Sequence, residues 1–399
     1  MTESVAPRSS PVVLGRRDAG LRERAAGQDS ALRRLDWVLG LAVAALIGIG
    51  SLLIWSATRQ RMLDADLDPA AFLKRHLVNA AIGLALASLA ALFDYRTLRA
   101  YAPVVYAASV LGLVAVLTPL GKTINGAHSW IVLGGGFQVQ PSELAKVALV
   151  VSLAMLLAER RDREAGPRGG DIVLVLLVAA LPIGLILLQP DLGTVLVLVA
   201  IVLGVLTISG ASVRWLAGLV LAGVVVCAGA VQLGVLDDYQ IDRFAAFANP
   251  ELDPRGVGYN TNQARIAIGS GGLTGKGLFE GTQTRGRFIP EQQTDFVFTV
   301  AGEELGLLGA SVLLALLGIV LWCGLRIASL SSDAFGRLVA AGVVCWFAFQ
   351  SFVNVGMTLG IMPVTGLPLP FVSYGGSAMF ANLLAVGLLQ NVHLRSREL

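Results

Sequence analysis

Long apolar runs separated by short polar breaks dominate this chain. Ten such runs lie near 37–56, 78–93, 101–117, 143–158, 172–188, 191–209, 215–233, 297–325, 336–355 and 371–390. Each approaches the length needed to cross a hydrocarbon core. The pattern predicts an all-α polytopic membrane protein of about ten helices. Four polar or glycine- and proline-rich breaks depart from it. In the first, Ile124 to Lys146, Gly134–Gly136 oppose regular helix, whereas Pro141 and Ser142 suit a helix start. Gln189-Pro190-Asp191 leaves room only for a tight turn. The third break runs from Val235 to Asp295, and the fourth, Asn354 to Gly376, is broken by Pro363, Pro368 and Pro370. Irregular backbone at membrane depth is tolerated only at the surface or around a protein-lined cavity. With ten spans all four breaks fall on one side, so the pattern predicts a cavity built there.

Composition supports lipid as the main solvent. Hydrophobic residues make up 55% of the 399 positions and charged residues 14%, where a soluble domain carries about a quarter charged. Mean hydropathy is +0.73. Residues 1–36 are polar and rich in arginine (Arg8, Arg16, Arg17, Arg22, Arg24, Arg33, Arg34), with neither an apolar run nor a cleavage pattern. They read as a disordered cytoplasmic tail and not as a signal peptide. Arg160, Arg161, Arg163 and Arg168 in one short loop favour the same orientation, while Arg59, Arg61, Lys74 and Arg75 oppose it. The predicted organisation is therefore a tail at 1–36, a membrane domain at 37–391 with a large external loop at 235–295, and a short cytoplasmic tail at 392–399. The net charge of +3 is orientation information and makes no case for nucleic acid. Cys227, Cys323 and Cys345 lie in apolar runs and read as small buried hydrophobes, with neither zinc nor redox spacing. No internal repeat pairs two discontinuous spans in the manner of many transporters.

The candidate chemistry is acidic. Asp295 closes the long polar segment where the next apolar run begins. It admits two readings: stabilisation of a helix N-terminus, worth about 0.3–1 kcal/mol, or a general base whose pKa is raised by burial or by Glu291. Glu303 and Glu304 lie in the apolar flank, where acids seldom face lipid. One of them would face protein and orient a cation or cap a neighbouring helix. Lys146, three residues after Glu143, either pairs with it on one helix face or neutralises a phosphate. Trp130 is an interfacial anchor or a wall for a sugar; His128, Gln292 and Gln293 could bind sugar hydroxyls or water. The glycine-rich stretch Gly269–Gly277, with Lys276, is not a phosphate loop. Ser270 and Gly277 stand where its first glycine and its hydroxyl residue are required. It is a turn-rich connection or a contact for an anionic substrate. His76, His128 and His393 are scattered and form no zinc site, and no Ser-His-Asp arrangement exists.

Five long motifs, GAHSWIVLGGGFQVQPSELAK, QPDLGT, GYNTNQARIAIGSGGLTGKG, RFIPEQQTDFVFTVAGEELGLLG and MPVTGLPLPFVSYGG, resemble those of the SEDS family (shape, elongation, division and sporulation). The resemblance covers about residues 37–391 and leans to the RodA-like elongation branch over the FtsW-like division branch. It implies a peptidoglycan glycosyltransferase of the bacterial cytoplasmic membrane, with both termini cytoplasmic and an external site that polymerises lipid II and releases undecaprenyl diphosphate. It further implies that Asp295 is the essential acid and that Trp130, Glu143 and Lys146 belong to the site. Arg265, Lys276, Gln293 or a divalent cation (Mg or Mn) would contact the substrate and its diphosphate. Glu291, Glu303, Glu304 and Ser373 would give support. No nucleotide is implied. The implied partners are a class B penicillin-binding protein, which is a transpeptidase, and the wider elongation machinery. The competing readings are a lipid II flippase and a non-catalytic scaffold that activates a transpeptidase.

Overall fold

The structure, a computed structural model, describes residues 34–93, 95–124, 127–134, 137–159, 166–234 and 257–396. Two units are separated, Met1–Leu35 and Asp36–Leu399. Nearly all of the arginine-rich tail lies outside the described residues, as do Gly135 and Gly136, arginines 160–163, residues 235–256 of the expected large loop, and residues 397–399. Asp36, the last residue of the expected tail, belongs to the second unit.

Helices α1 (Trp37–Asp64), α2 (Ala71–Leu92) and α3 (Tyr95–Val116) precede a small sheet of β1 (Gly121–Ile124), β2 (Ala127–Gly134) and β3 (Phe137–Val139). Then follow α4 (Pro141–Glu159), α5 (Gly169–Leu187), α6 (Leu192–Ile208), α7 (Val213–Gln232), α8 (Val257–Ser270) and α9 (Thr282–Gly286). The last three are α10 (Val297–Leu330), α11 (Ala334–Leu359) and α12 (Gly376–Arg395). Among the described residues nine helices are long and apolar enough to cross a membrane, and α6 is a shorter apolar helix. Together they make the ten expected, and the protein is a multi-pass membrane protein.

Side-chain caps set several of the starts. Asp36 accepts from Leu39 N at 3.1 Å, Asp191 from Thr194 N at 3.0 Å and Asp333 from Gly336 N at 3.4 Å. Each satisfies an amide that the first helical turn leaves open. The centre of the bundle is α4, α11 and α12, most of whose residues are buried, whereas α7 buries none. Between helices in lipid, close packing replaces the hydrophobic effect, and small residues allow it. At the α2–α12 contact a Cβ on Gly83 would meet the Leu383 side chain at 2.6 Å. Cys323 is buried and Cys345 partly so, but Cys227 on α7 is exposed, against the expectation for all three.

Two features were not anticipated by an all-helical pattern. The break after α3 folds into a three-stranded antiparallel sheet in the order β1-β2-β3, with Lys122 opposite Trp130 and Ile131 opposite Val139. The β-branched pair Ile131-Val132 with flanking glycines is a strand-and-turn pattern, and three strands are about the fewest that hold independently. Inside α10, Ala301–Leu305 makes a π-helical turn that ends at Gly306 with φ +66°. Such a turn shifts the side chains that follow it around the helix. Here both Glu303 and Glu304 are buried.

Candidate active site

All four irregular stretches meet in one cavity of about 330 Å³. Its wall takes Trp130 and Glu143 from the first, Asp191 from the second, Glu291 and Asp295 from the third, and Gly366 and Tyr374 from the fourth. Asp295 sits in the turn that leads into α10, its amide donating to Glu291 O at 3.1 Å. Its carbonyl accepts from Asn354 Nδ2 at 2.8 Å. Its Oδ2 lies against the backbone of Gly366, where an added Cβ would stand 3.5 Å away. Glu291 and Phe371 both adopt left-handed φ, 49° and 66°. For residues with a Cβ this is a strained conformation that packing must hold.

Glu143 lies on the first turn of α4, which Pro141 begins. It lines the cavity, while Lys146 stands behind it, fully buried. The lysine donates to Glu143 Oε1 at 2.7 Å and Gln350 Oε1 at 3.1 Å, and its Nζ is 4.8 Å from the Trp346 ring centroid. Glu143 Oε2 is buried without a hydrogen-bond partner. Asp191, missed as a site residue, spends one carboxylate on Thr194 N, Thr194 Oγ1 and Gln140 Nε2, the last two at 2.7 and 3.2 Å. The D-x-x-T spacing signals this helix cap in the sequence but not its place in the wall. Tyr374 reaches the wall as its amide donates to Gln293 O at 2.9 Å, and its ring packs edge-on to Phe72.

Other expected site residues are committed elsewhere. Lys276 donates to Thr282 Oγ1 at 2.7 Å and Glu303 Oε1 at 3.0 Å. Glu303 also accepts from Gln283 N at 2.8 Å, Thr284 N at 3.0 Å and Thr284 Oγ1 at 2.9 Å. Glu304 accepts from Ser56 Oγ at 2.6 Å. The two glutamates thus tie the 276–284 stretch to α10 and α1 and stand outside the wall. Arg265 is exposed on α8, its Cδ near Gly360. Gln293 is buried and donates to Glu291 Oε2 at 3.2 Å. Ser373 Oγ accepts from Leu369 N at 2.8 Å and closes a local turn. Gln292 joins Thr284 and Thr299, and His128 meets Thr123 across β1 and β2.

The described wall therefore carries the carboxylates of Glu143, Asp191, Glu291 and Asp295 and no lysine or arginine. Lys146, Arg265 and Lys276, expected to face a diphosphate, are absent from it. Among the described residues no three His, Cys, Asp or Glu side chains group as ready metal ligands. Such a wall can accept a proton and attract a cation, but cannot by itself neutralise an anionic leaving group.

Comparison with known proteins agrees with this architecture. Residues 37–398 match the model of the FtsW/RodA/SpoVE family, described as cell cycle protein. A probable peptidoglycan glycosyltransferase FtsW of Trichlorobacter lovleyi is 38% identical over 90% of this chain and 93% of its own. The peptidoglycan glycosyltransferase MrdB of Escherichia coli K12 is 38% identical over 92% of this chain and 95% of its own. Equal identity does not separate the elongation from the division branch. A solved structure from work on the structural coordination of polymerization and crosslinking by a peptidoglycan synthase complex superposes with a TM-score of 0.76, at 36% identity, over 91% of this chain and 98% of that one. On these matches, with the five motifs seated around one acidic cavity, the chain belongs to the FtsW/RodA/SpoVE, or SEDS, family.

Proposed function

We propose that this chain is a peptidoglycan glycosyltransferase that polymerises lipid II at the outer face of the bacterial cytoplasmic membrane, with Asp295 as general base. The observation that carries this is the cavity itself, in which Asp295 shares a wall with Trp130 and with segments from all the irregular stretches. The Asp295 carboxylate takes the proton of the acceptor GlcNAc 4-hydroxyl as that oxygen bonds to the anomeric carbon of the donor MurNAc. The bond from that carbon to the diphosphate oxygen breaks, and undecaprenyl diphosphate leaves with the electron pair. Direct attack inverts the α donor linkage to a β product. The lipid diphosphate bond supplies the energy, so no nucleotide is needed. Trp130 offers a flat face for a sugar ring.

A divalent cation fits this wall only together with substrate. Mg²⁺ commonly uses one or two carboxylates plus substrate phosphates. Glu143, whose Oε2 lacks a hydrogen-bond partner, and Glu291 would hold it. When bound, the ion would offset charge on the departing diphosphate. Lys146, tied to the other oxygen of Glu143, acts as the buried brace of that ligand.

The arginine-rich tail supports cytoplasmic termini and hence an external site. A class B penicillin-binding protein is the proposed partner, in keeping with the similar structure's synthase complex. The test is polymerisation of lipid II by purified protein with its transpeptidase, with and without Mg²⁺ or Mn²⁺. Asp295→Asn should abolish polymer while the protein stays folded; full activity in that variant sinks the base assignment. Chelation should stop the wild type and readdition restore it.

A further inference from the structure

The Asp295 turn and the Pro363–Phe371 segment are far apart in the chain, yet one helix holds both. Asn354, fully buried on α11, donates through Nδ2 to the carbonyls of Asp295 at 2.8 Å and Leu367 at 2.7 Å. An amide nitrogen has two hydrogens, and both are used on the backbone of residues that line the cavity. One turn earlier, Gln350 donates to Pro368 O at 2.7 Å and accepts from Trp346 Nε1 at 2.7 Å. Two amides at i and i+4 thus grip consecutive carbonyls of one irregular segment. Gly366, just before Leu367, is the residue whose backbone faces Asp295 Oδ2 and whose φ is +74°. The Asn354 amide therefore ties the backbone of the acid to the segment that lies against its carboxylate.

We propose that Asn354 is a positioning residue for glycosyl transfer, acting through the Asp295 backbone to hold the carboxylate at its working place in the cavity. The proposal rests on the reading of Asp295 as base. Because a misplacement of about 1 Å can cost about 100-fold in rate, loss of the clamp should fall on kcat and leave binding largely alone. Asn354→Leu removes both donors at similar volume. It should lower kcat for lipid II polymerisation at least tenfold, with KM within about threefold of wild type.

Asn391→Leu is the matched control. Asn391 makes the same kind of bond, to Ala90 O at 2.7 Å, Ala91 O at 3.1 Å and Phe93 O, but its acceptors lie outside the cavity wall, whereas Asp295 and Leu367 line it. At equal loss of thermal midpoint it should keep wild-type kcat. If Asn391→Leu loses as much kcat as Asn354→Leu, or if Asn354→Leu keeps kcat, the clamp is wrong. Should Asn354→Leu fail to accumulate in membranes, Asn354→Ala removes the same donor without added branch carbons and is read by the same criteria. An inactive Asp295→Asn beside a fully active Asn354→Leu overturns the clamp alone. An active Asp295→Asn overturns the base reading beneath it.

Discussion

Replacing Lys146 by methionine removes one ammonium from the interior and little else. The methionine keeps most of the apolar stem, but Glu143 Oε1 loses a partner at 2.7 Å and Gln350 Oε1 one at 3.1 Å. Glu143 is itself 2% exposed, and its other oxygen already lacks a hydrogen-bond partner, so the variant leaves a buried carboxylate uncompensated. Breaking a buried pair from one side costs about 3–5 kcal/mol, whereas replacing both partners with neutral groups is often close to neutral. Lys146→Met should thus lower the folded-to-unfolded ratio by two orders of magnitude or more, and Glu143→Gln/Lys146→Met should recover most of that loss. The measurement is the midpoint of heat-induced loss of monodisperse protein in detergent for wild type, both single variants and the double. A double variant no more stable than Lys146→Met refutes the argument from an unpaired carboxylate. An unchanged midpoint with polymerisation lost would instead put Lys146 in contact with substrate.

Glu303→Ala should release the 276–284 stretch, because four groups of that stretch bond its carboxylate at 3.0 Å or less and bonds to a charged acceptor contribute about 1.5–3 kcal/mol each. Limited proteolysis within this stretch should speed up at least tenfold; an unchanged cleavage rate would show that other contacts hold it. Gly366→Val should cut kcat at least tenfold, since a β-branched residue at φ +74° costs about 1–3 kcal/mol of strain and its methyls crowd Asp295 Oδ2. Gly366→Ala, whose Cβ would stand 3.5 Å from that oxygen, should be milder, and equal effects of the two would remove the steric part of this account.

The helical part of the fold was legible because length and apolarity alone define a spanning segment. Pro141, placed by its fixed φ at a helix start, begins α4 as expected. The sheet was hidden by its brevity, since β3 has three residues and Gly134–Gly136 before it read equally well as loop. The site was half legible. A carboxylate at a chain break, as at Asp295, stands out against an apolar background, and so does a lysine in a span. Whether a lysine faces the cavity or supports its wall depends on one turn of helix. Glu143, three residues earlier, took the wall position and left Lys146 behind it. Lys276 was drawn away by Glu303, a residue the π-helical turn buries and no periodicity argument could orient. Asn354 and Gln350 gave no signal, because an amide in an apolar run looks the same whether it bonds its own helix or a distant carbonyl. Their partners, Leu367 and Pro368, lie in a segment with no ladder of its own, and irregular backbone in a membrane must find donors elsewhere. The requirement was therefore visible in the prolines of 363–370 before the donors were. A buried amide on the adjacent helix is the least costly way to meet it without placing a charge beside the base.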